Sequence, residues 1–259
     1  MWRWFEHHQV YHPDRVMIAT GAELGRPFEE LSLKTTDRVE LHAWFYPVNK
    51  SSPRGELVAL VCHGNAGNIS HRLELCATLL GIGLNVLLFD YRGYGRSGGR
   101  ASEEGTYLDA EAAYNWLLQR GFAARNVILF GESLGGGIAT ELAIRKPIGG
   151  LVLESTFSCI LDVAAEIFPW LPVRWLSTIK YDNCAKLPRV KVPVLLLHSR
   201  GDKMIGFHHA EKNYSLANQP KILCELVGDH NEPFTDKNRF LEGMEKFLQL
   251  VEQHASTKG

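Results

Sequence analysis

No stretch of this 259-residue chain approaches the roughly 20 consecutive apolar residues of a membrane-spanning helix. Its opening, Met1-Trp2-Arg3-Trp4-Phe5-Glu6, lacks the apolar core of a signal peptide. Excess charge of either sign is also missing: 28 basic side chains face 29 acidic ones, for a net charge of -1. That leaves no broad basic surface, so a nucleic-acid partner is not expected. Low-complexity tracts and internal repeats are absent, which excludes a solenoid or a disordered chain. Cysteine is sparse: Cys62, Cys76, Cys159, Cys184 and Cys224 are scattered, with no Cys-x-x-Cys. Buried free thiols in a reducing, cytoplasmic setting are expected rather than disulfides. Gly93, Gly95, Gly98 and Gly99 fit no phosphate-cradling pattern, and histidines and carboxylates fall at no metal-ligand spacing along the chain. Neither a metal nor a cofactor is expected.

What remains is 45% hydrophobic and long enough for one large core, so residues 1–259 read as a single domain. Residues 1–35 form a lead-in, where Trp2, Trp4 and Phe5 pack against the domain or a partner subunit, with peripheral membrane contact as the other reading. Beyond it, the partly alternating Val39–Tyr46 suits an antiparallel strand. Continuous apolar runs at Leu57–Cys62, Val86–Phe89, Val127–Phe130, Leu151–Leu153, Val192–Leu197 and Ile222–Val227 suit strands buried on both faces. Helical stretches alternate with them. Ser102 offers a cap, with Tyr107, Ala110, Tyr114, Leu117 and Leu118 as one face behind it. Phe240, Met244, Phe247, Leu248 and Val251 make the stripe of a closing helix. The expectation is an α/β fold: a mostly parallel central sheet, helices on both faces, and loops converging at the strands' carboxyl ends.

One such strand runs into Gly131-Glu132-Ser133-Leu134-Gly135, and the helix-like Ile138–Arg145 follows. Strand, tight turn and helix are what a nucleophile elbow requires. Gly95-Arg96-Ser97-Gly98-Gly99 fits the same pattern but leads into Arg100-Ala101-Ser102, so Ser133 is the candidate nucleophile. A serine hydroxyl needs a base and a group to orient that base. His230 lies in the polar loop after the last strand; His208 and His209, opening a helix, are its competitors. Asp202 follows a strand through a glycine turn, with Asp162, Asp182 and Asp229 as alternatives. The order Ser133, Asp202, His230 is nucleophile, acid, base. Negative charge developing on a carbonyl oxygen would be met by the N–H groups of Leu134 and of Asn65, or of Ala66 in its place.

Residues 157–189 break the strand–helix rhythm and hold Phe157, Phe168, Trp170, Trp175 and Tyr181. This segment reads as a lid-like insertion, with Phe157 and Trp170 as substrate-binding candidates for an apolar acyl group; the alternative is a cover for the sheet.

HGNAGN, DYRGYGRSGG, GESLGGG, LESTFS, SRGD and GDHN, in this order, resemble the α/β-hydrolase superfamily. The similarity is greatest to the branch holding the bud-emergence hydrolases and depalmitoylating hydrolase-domain proteins, and it covers roughly residues 28–252. It implies a serine hydrolase acting on a small-molecule or lipid-like ester or thioester. Nucleophile, acid and base then fall on Ser133, Asp202 and His230, and oxyanion donors on Asn65 and Leu134. Amide or peptide cleavage, or an idle hydrolase fold used for binding, are the alternatives.

Overall fold

The computed structural model describes residues 2–49, 51–230 and 235–256. Its centre is an eight-stranded sheet. We label the strands β1 (Glu29–Lys34), β2 (Glu40–Tyr46), β3 (Val58–Cys62), β4 (Asn85–Phe89), β5 (Val127–Glu132), β6 (Gly150–Glu154), β7 (Val194–Ser199) and β8 (Lys221–Leu226). They lie side by side in the order β8-β7-β6-β5-β3-β4-β2-β1. The pairs from β8 to β4 are parallel, while β2 and β1 add an antiparallel edge.

Period-two side-chain direction explains why the middle strands are apolar throughout. Val58, Leu60 and Cys62 enter one core, and Ala59 and Val61 the opposite one. Leu129 and Phe130 divide in the same way. The first core is closed by α3 (Glu103–Gln119) and α4 (Leu134–Arg145). The second is closed by α2 (Leu73–Gly81) and α9 (Lys237–Ser256), whose Phe240, Met244, Phe247, Leu248 and Val251 are all buried. Ser102 caps α3 by accepting from the Gly105 N–H. On α3, Leu118 departs from expectation. It is 38% exposed, because it sits one position past Leu117 and therefore about 100° round the helix.

The lead-in is more structured than its sequence suggests. It includes β1 and helix α1 (Trp2–Val10). The Glu6 carboxylate of α1 accepts from the Thr178 and Ile179 N–H groups and fastens the helix to the insertion. Phe5 packs edge-on against Phe168 of that insertion, while Trp4 stays exposed. Farther on, His12-Pro13 pairs with Ala66-Gly67 in a small parallel ladder.

Within residues 157–189, helices α5 (Ile160–Ile167), α6 (Val173–Leu176) and α7 (Asn183–Lys186) form in short pieces. Its aromatics separate. Phe157 and Tyr181 are in the core, Phe168 is half-buried, and Trp170 and Trp175 are exposed. The segment is therefore part cover and part protruding surface. Helix α8 (His208–Leu216) lies between β7 and β8 in sequence. The five cysteines are free thiols, three of them buried. Among the described residues, no helix is long and apolar enough to cross a membrane.

Candidate active site

Strand order reverses at β3: β4 lies on one side of it and β5 on the other. The register pairs Cys62 with Gly131, so the loops after β3 and β5 leave the sheet side by side. A crevice at such a switch point is where open α/β sheets bind ligands.

Ser133 stands in that crevice, between β5 and α4, at φ 51° and ψ -113°. Few side-chain-bearing residues adopt such a backbone, and holding one there costs on the order of 1–3 kcal/mol. The neighbours enforce it. The Ser133 N–H donates to the Glu154 carbonyl at 2.8 Å, and Thr156 Oγ1 donates to the Ser133 carbonyl at 2.6 Å. Gly135 permits the turn, since a Cβ there would lie 1.9 Å from the Cys62 carbonyl oxygen.

Ser133, His230 and Asp202 come together although their elements are far apart in sequence. Ser133 Oγ is 3.1 Å from His230 Nε2, and His230 Nδ1 is 2.7 Å from Asp202 Oδ2. An ionised carboxylate only accepts, so the ring proton belongs on Nδ1, and Nε2 accepts from the serine hydroxyl. Asp202 is well held. Its other oxygen accepts from the N–H groups of Met204 and Ile205 at 2.9 and 2.8 Å. Burial works against its charge, but bonds from His198, His230 and the Ile205 N–H prevail and keep the carboxyl well below its ordinary range. Ser199 joins the loops carrying Asp202 and His230: its hydroxyl donates to the Gly228 carbonyl and accepts from the Gly201 N–H. Asn231, Glu232 and Pro233 of the second loop lie outside the described residues.

The competitors are engaged elsewhere. Ser97 is buried, donating to the Asp90 carbonyl and accepting from the His42 N–H. His208 and His209 face Glu166. Asp162 binds Lys212 and Arg174, Asp182 caps α7, and Asp229 accepts from the N–H groups of His230 and Lys203.

Leu134 is the first residue of α4, and the positive end of the helix dipole adds to its N–H. Asn65 is held by the lead-in. Its carbonyl accepts from the His12 N–H at 3.0 Å and from Tyr94 Oη at 2.8 Å, and its side-chain amide donates to the Val10 carbonyl at 3.3 Å. Tyr91 Oη donates to the preceding His63 carbonyl at 2.8 Å. Sequence reasoning missed this bracing, and Thr156 and Ser199 with it. Along the chain, the turn-prone His12-Pro13-Asp14 is a signal for it.

The two substrate-binding candidates are not at the site. Phe157 is in the core, its carbonyl fixed by the side chains of Asn183 and Asn213. Trp170 is 77% exposed on the outside of the insertion. An open cleft of about 430 Å³ beside His230 is lined instead by Asp14, His71, Arg72, Glu74, Glu132 and Glu154, among others. Arg72 pairs with Glu132 at 2.6 Å. Glu154 is buried, and burial followed by the charge of Glu132 raises its carboxyl strongly. Neither Phe157 nor Trp170 lines this cleft, and its lining is largely polar.

With this geometry in view, similarity to known proteins is informative. The α/β hydrolase fold family matches residues 59–183. An uncharacterized protein of Mycobacterium tuberculosis is 36% identical over 242 residues, spanning 92% of this chain and 85% of that one. The α/β hydrolase domain-containing protein WAV2 of Arabidopsis thaliana is 32% identical, over 92% of this chain and 83% of its own. The bem46 protein of Schizosaccharomyces pombe is 30% identical over 74% of this chain and 66% of its own. Among solved structures, an esterase of Pyrococcus furiosus superposes with a TM-score of 0.75 at 21% identity, covering 93% of this chain and 97% of that one. The chain belongs to the α/β-hydrolase family.

Proposed function

We propose that the protein is a serine hydrolase that cleaves carboxylic esters or thioesters through an acyl-enzyme. The observation that carries this reading is the continuous contact from Ser133 Oγ through His230 to Asp202, with the serine on a strained elbow. Ser133 attacks the carbonyl carbon, and His230 Nε2 takes its proton and delivers it to the leaving alcohol or thiol. Asp202 keeps the imidazole oriented and stabilises it while it is charged. The N–H groups of Leu134 and Asn65 meet the oxyanion, each worth about 3 kcal/mol in the transition state. Water then enters by the same proton shuttle and releases the acid.

The charged cleft suits a short or polar ester better than a long apolar chain. Arg72 offers a guanidinium, and a protonated Glu154 a hydrogen-bond donor. A p-nitrophenyl ester series of increasing acyl length, run beside matched thioesters and anilides, tests the reading. Hydrolysis should fall with chain length and be lost in Ser133→Ala. A Ser133→Ala protein that works at the parental rate refutes the mechanism, and faster turnover of long chains refutes the polar preference.

A further inference from the structure

Six of the eleven large apolar side chains exposed among the described residues lie on two short stretches: Trp4 and Phe5 on α1, and Ile167, Trp170, Trp175 and Leu176 on the insertion. Trp175 is 92% exposed. Single exposed apolar side chains are ordinary on a protein surface, but a contiguous group marks an interaction site. The rings make this group contiguous. Centroid to centroid, Trp2 lies 5.6 Å from Phe5, Phe5 6.2 Å from Phe168, and Phe168 6.3 Å from Trp170. Trp2, Phe5 and Phe168 also line an apolar dimple between α1 and the insertion, together with Ala164, Leu171 and Val173. The two elements make one face rather than two loose tips. Besides the backbone N–H groups already described, the hydroxyls of Ser177 and Thr178 donate to the Glu6 carboxylate of α1. Pro169 and Pro172 bracket Trp170, and their fixed φ stiffens the turn that carries it. Little ordering is left to be done when such a face meets a partner.

Charge decides which partner the face fits. Arg3 on α1 and Lys180 beside the dimple are exposed, and neither side chain has an ion-pair partner among the described residues. The carboxylates around them are already engaged. Glu6 is buried against Ser177, Thr178 and Ile179. Glu103 accepts from the Lys180 and Tyr181 N–H groups, Asp162 is held by Lys212 and Arg174, and Glu166 faces His208. The free charge is therefore positive. A two-fold contact between copies of the chain would set Arg3 and Lys180 against their own equivalents with no free carboxylate between them, so a second copy fits poorly. A bilayer with anionic headgroups fits well. Tryptophan has an apolar ring with one N–H donor, which suits the boundary between headgroups and acyl chains, and cations beside it meet the headgroup charge.

We propose that α1 and the outer part of the insertion form a docking face for an anionic lipid surface, into which Phe5, Ile167, Trp170 and Trp175 insert while Arg3 and Lys180 meet the headgroups. The chain lies on the bilayer at this face, since among the described residues no helix is long and apolar enough to cross one. The face is tied to the candidate active site: the Val10 carbonyl, at the end of α1, accepts from the Asn65 side-chain amide. The proposal does not rest on the hydrolase reading.

Co-sedimentation of the full chain with vesicles of equimolar phosphatidylcholine and phosphatidylglycerol, beside vesicles of phosphatidylcholine alone, tests it. The expected result is saturable binding to the anionic vesicles, weaker by at least ~10-fold on the neutral ones. Trp170→Ala and Trp175→Ala, both at exposed positions, should each lower the affinity about 10-fold and leave the melting temperature unchanged. Arg3→Gln combined with Lys180→Gln should lower affinity for the anionic vesicles by about 10-fold or more and leave the neutral ones unaffected. Four results would overturn the proposal: no binding to the anionic vesicles; equal binding to both kinds; binding unaltered in both tryptophan variants; or, in sedimentation velocity without lipid, a dimer that Trp175→Ala splits into monomers, which would give the face to a second copy.

Discussion

One proton on one ring nitrogen links Asp202 to Ser133. Because Asp202 can only accept, His230 must present its lone pair to the serine. Asp202→Asn keeps the shape but lets the ring take the other tautomer. It should lower kcat by roughly 10⁴ with little change in KM, read from steady-state ester hydrolysis. Glu154 behaves in the opposite sense to Asp202. Its carboxyl is raised in the folded protein, so the folded state holds a proton that the unfolded state has released. Stability from this residue is complete below the unfolded carboxyl range near pH 4 and fades as the pH climbs through the folded value. Glu154→Gln should therefore raise the melting temperature at pH 8–9 and change it little at pH 4. Each kcal/mol recovered corresponds to about 2–4 °C in a chain of this size. An equal shift at both pH values would mean that the Glu154 carboxyl titrates alike in the folded and unfolded states.

Elements set these residues in place. The elbow is gripped from β3, by the close passage of Gly135 over the Cys62 carbonyl, and from the end of β6, by Thr156. Removing the Thr156 hydroxyl without changing the shape of the side chain, as in Thr156→Val, leaves the Ser133 carbonyl without one of its bonds. The expected cost is about 1 kcal/mol of stability, and on the proposed mechanism a loss of kcat with an unchanged KM, since the grip positions Ser133. A second brace lies at the loop after β4. Arg92 is clamped between Asp109 of α3 and Asp37, and Asp109 is fully buried. Burial first, against the pull of Arg92, pushes the Asp109 carboxyl up to about 6. Asp109→Ala leaves the guanidinium half-paired in a buried place and should destabilise the fold by about 3–5 kcal/mol in denaturant melts. A loss under 1 kcal/mol would show that water repairs the gap.

Across the whole molecule, the sequence carries the sheet more plainly than it carries the substrate pocket. Strands β3 to β7 are apolar on both faces, and nothing else in the chain competes with that signal. Ser133, Asp202 and His230 were legible because each follows a strand, and a parallel sheet brings all strand ends to one rim. The aromatic insertion was not legible in the same way. Composition cannot say whether Phe157 and Trp170 face a pocket, and packing sends one into the core and the other into solvent. The bracing of Asn65 by the His12 N–H and the Tyr94 hydroxyl was hidden because both donate to a backbone carbonyl distant in sequence, which no local pattern records.

Labelling with a fluorophosphonate probe, followed by mass mapping of the modified peptide, tests most directly whether this rim works as a catalytic machine. The predicted result is one adduct per chain, on Ser133, formed rapidly in the parent and lost in Ser133→Ala and, through loss of the base, slowed several orders of magnitude in His230→Ala. A folded parent protein that takes no label, or takes it at Ser97 or elsewhere, would contradict the assignment.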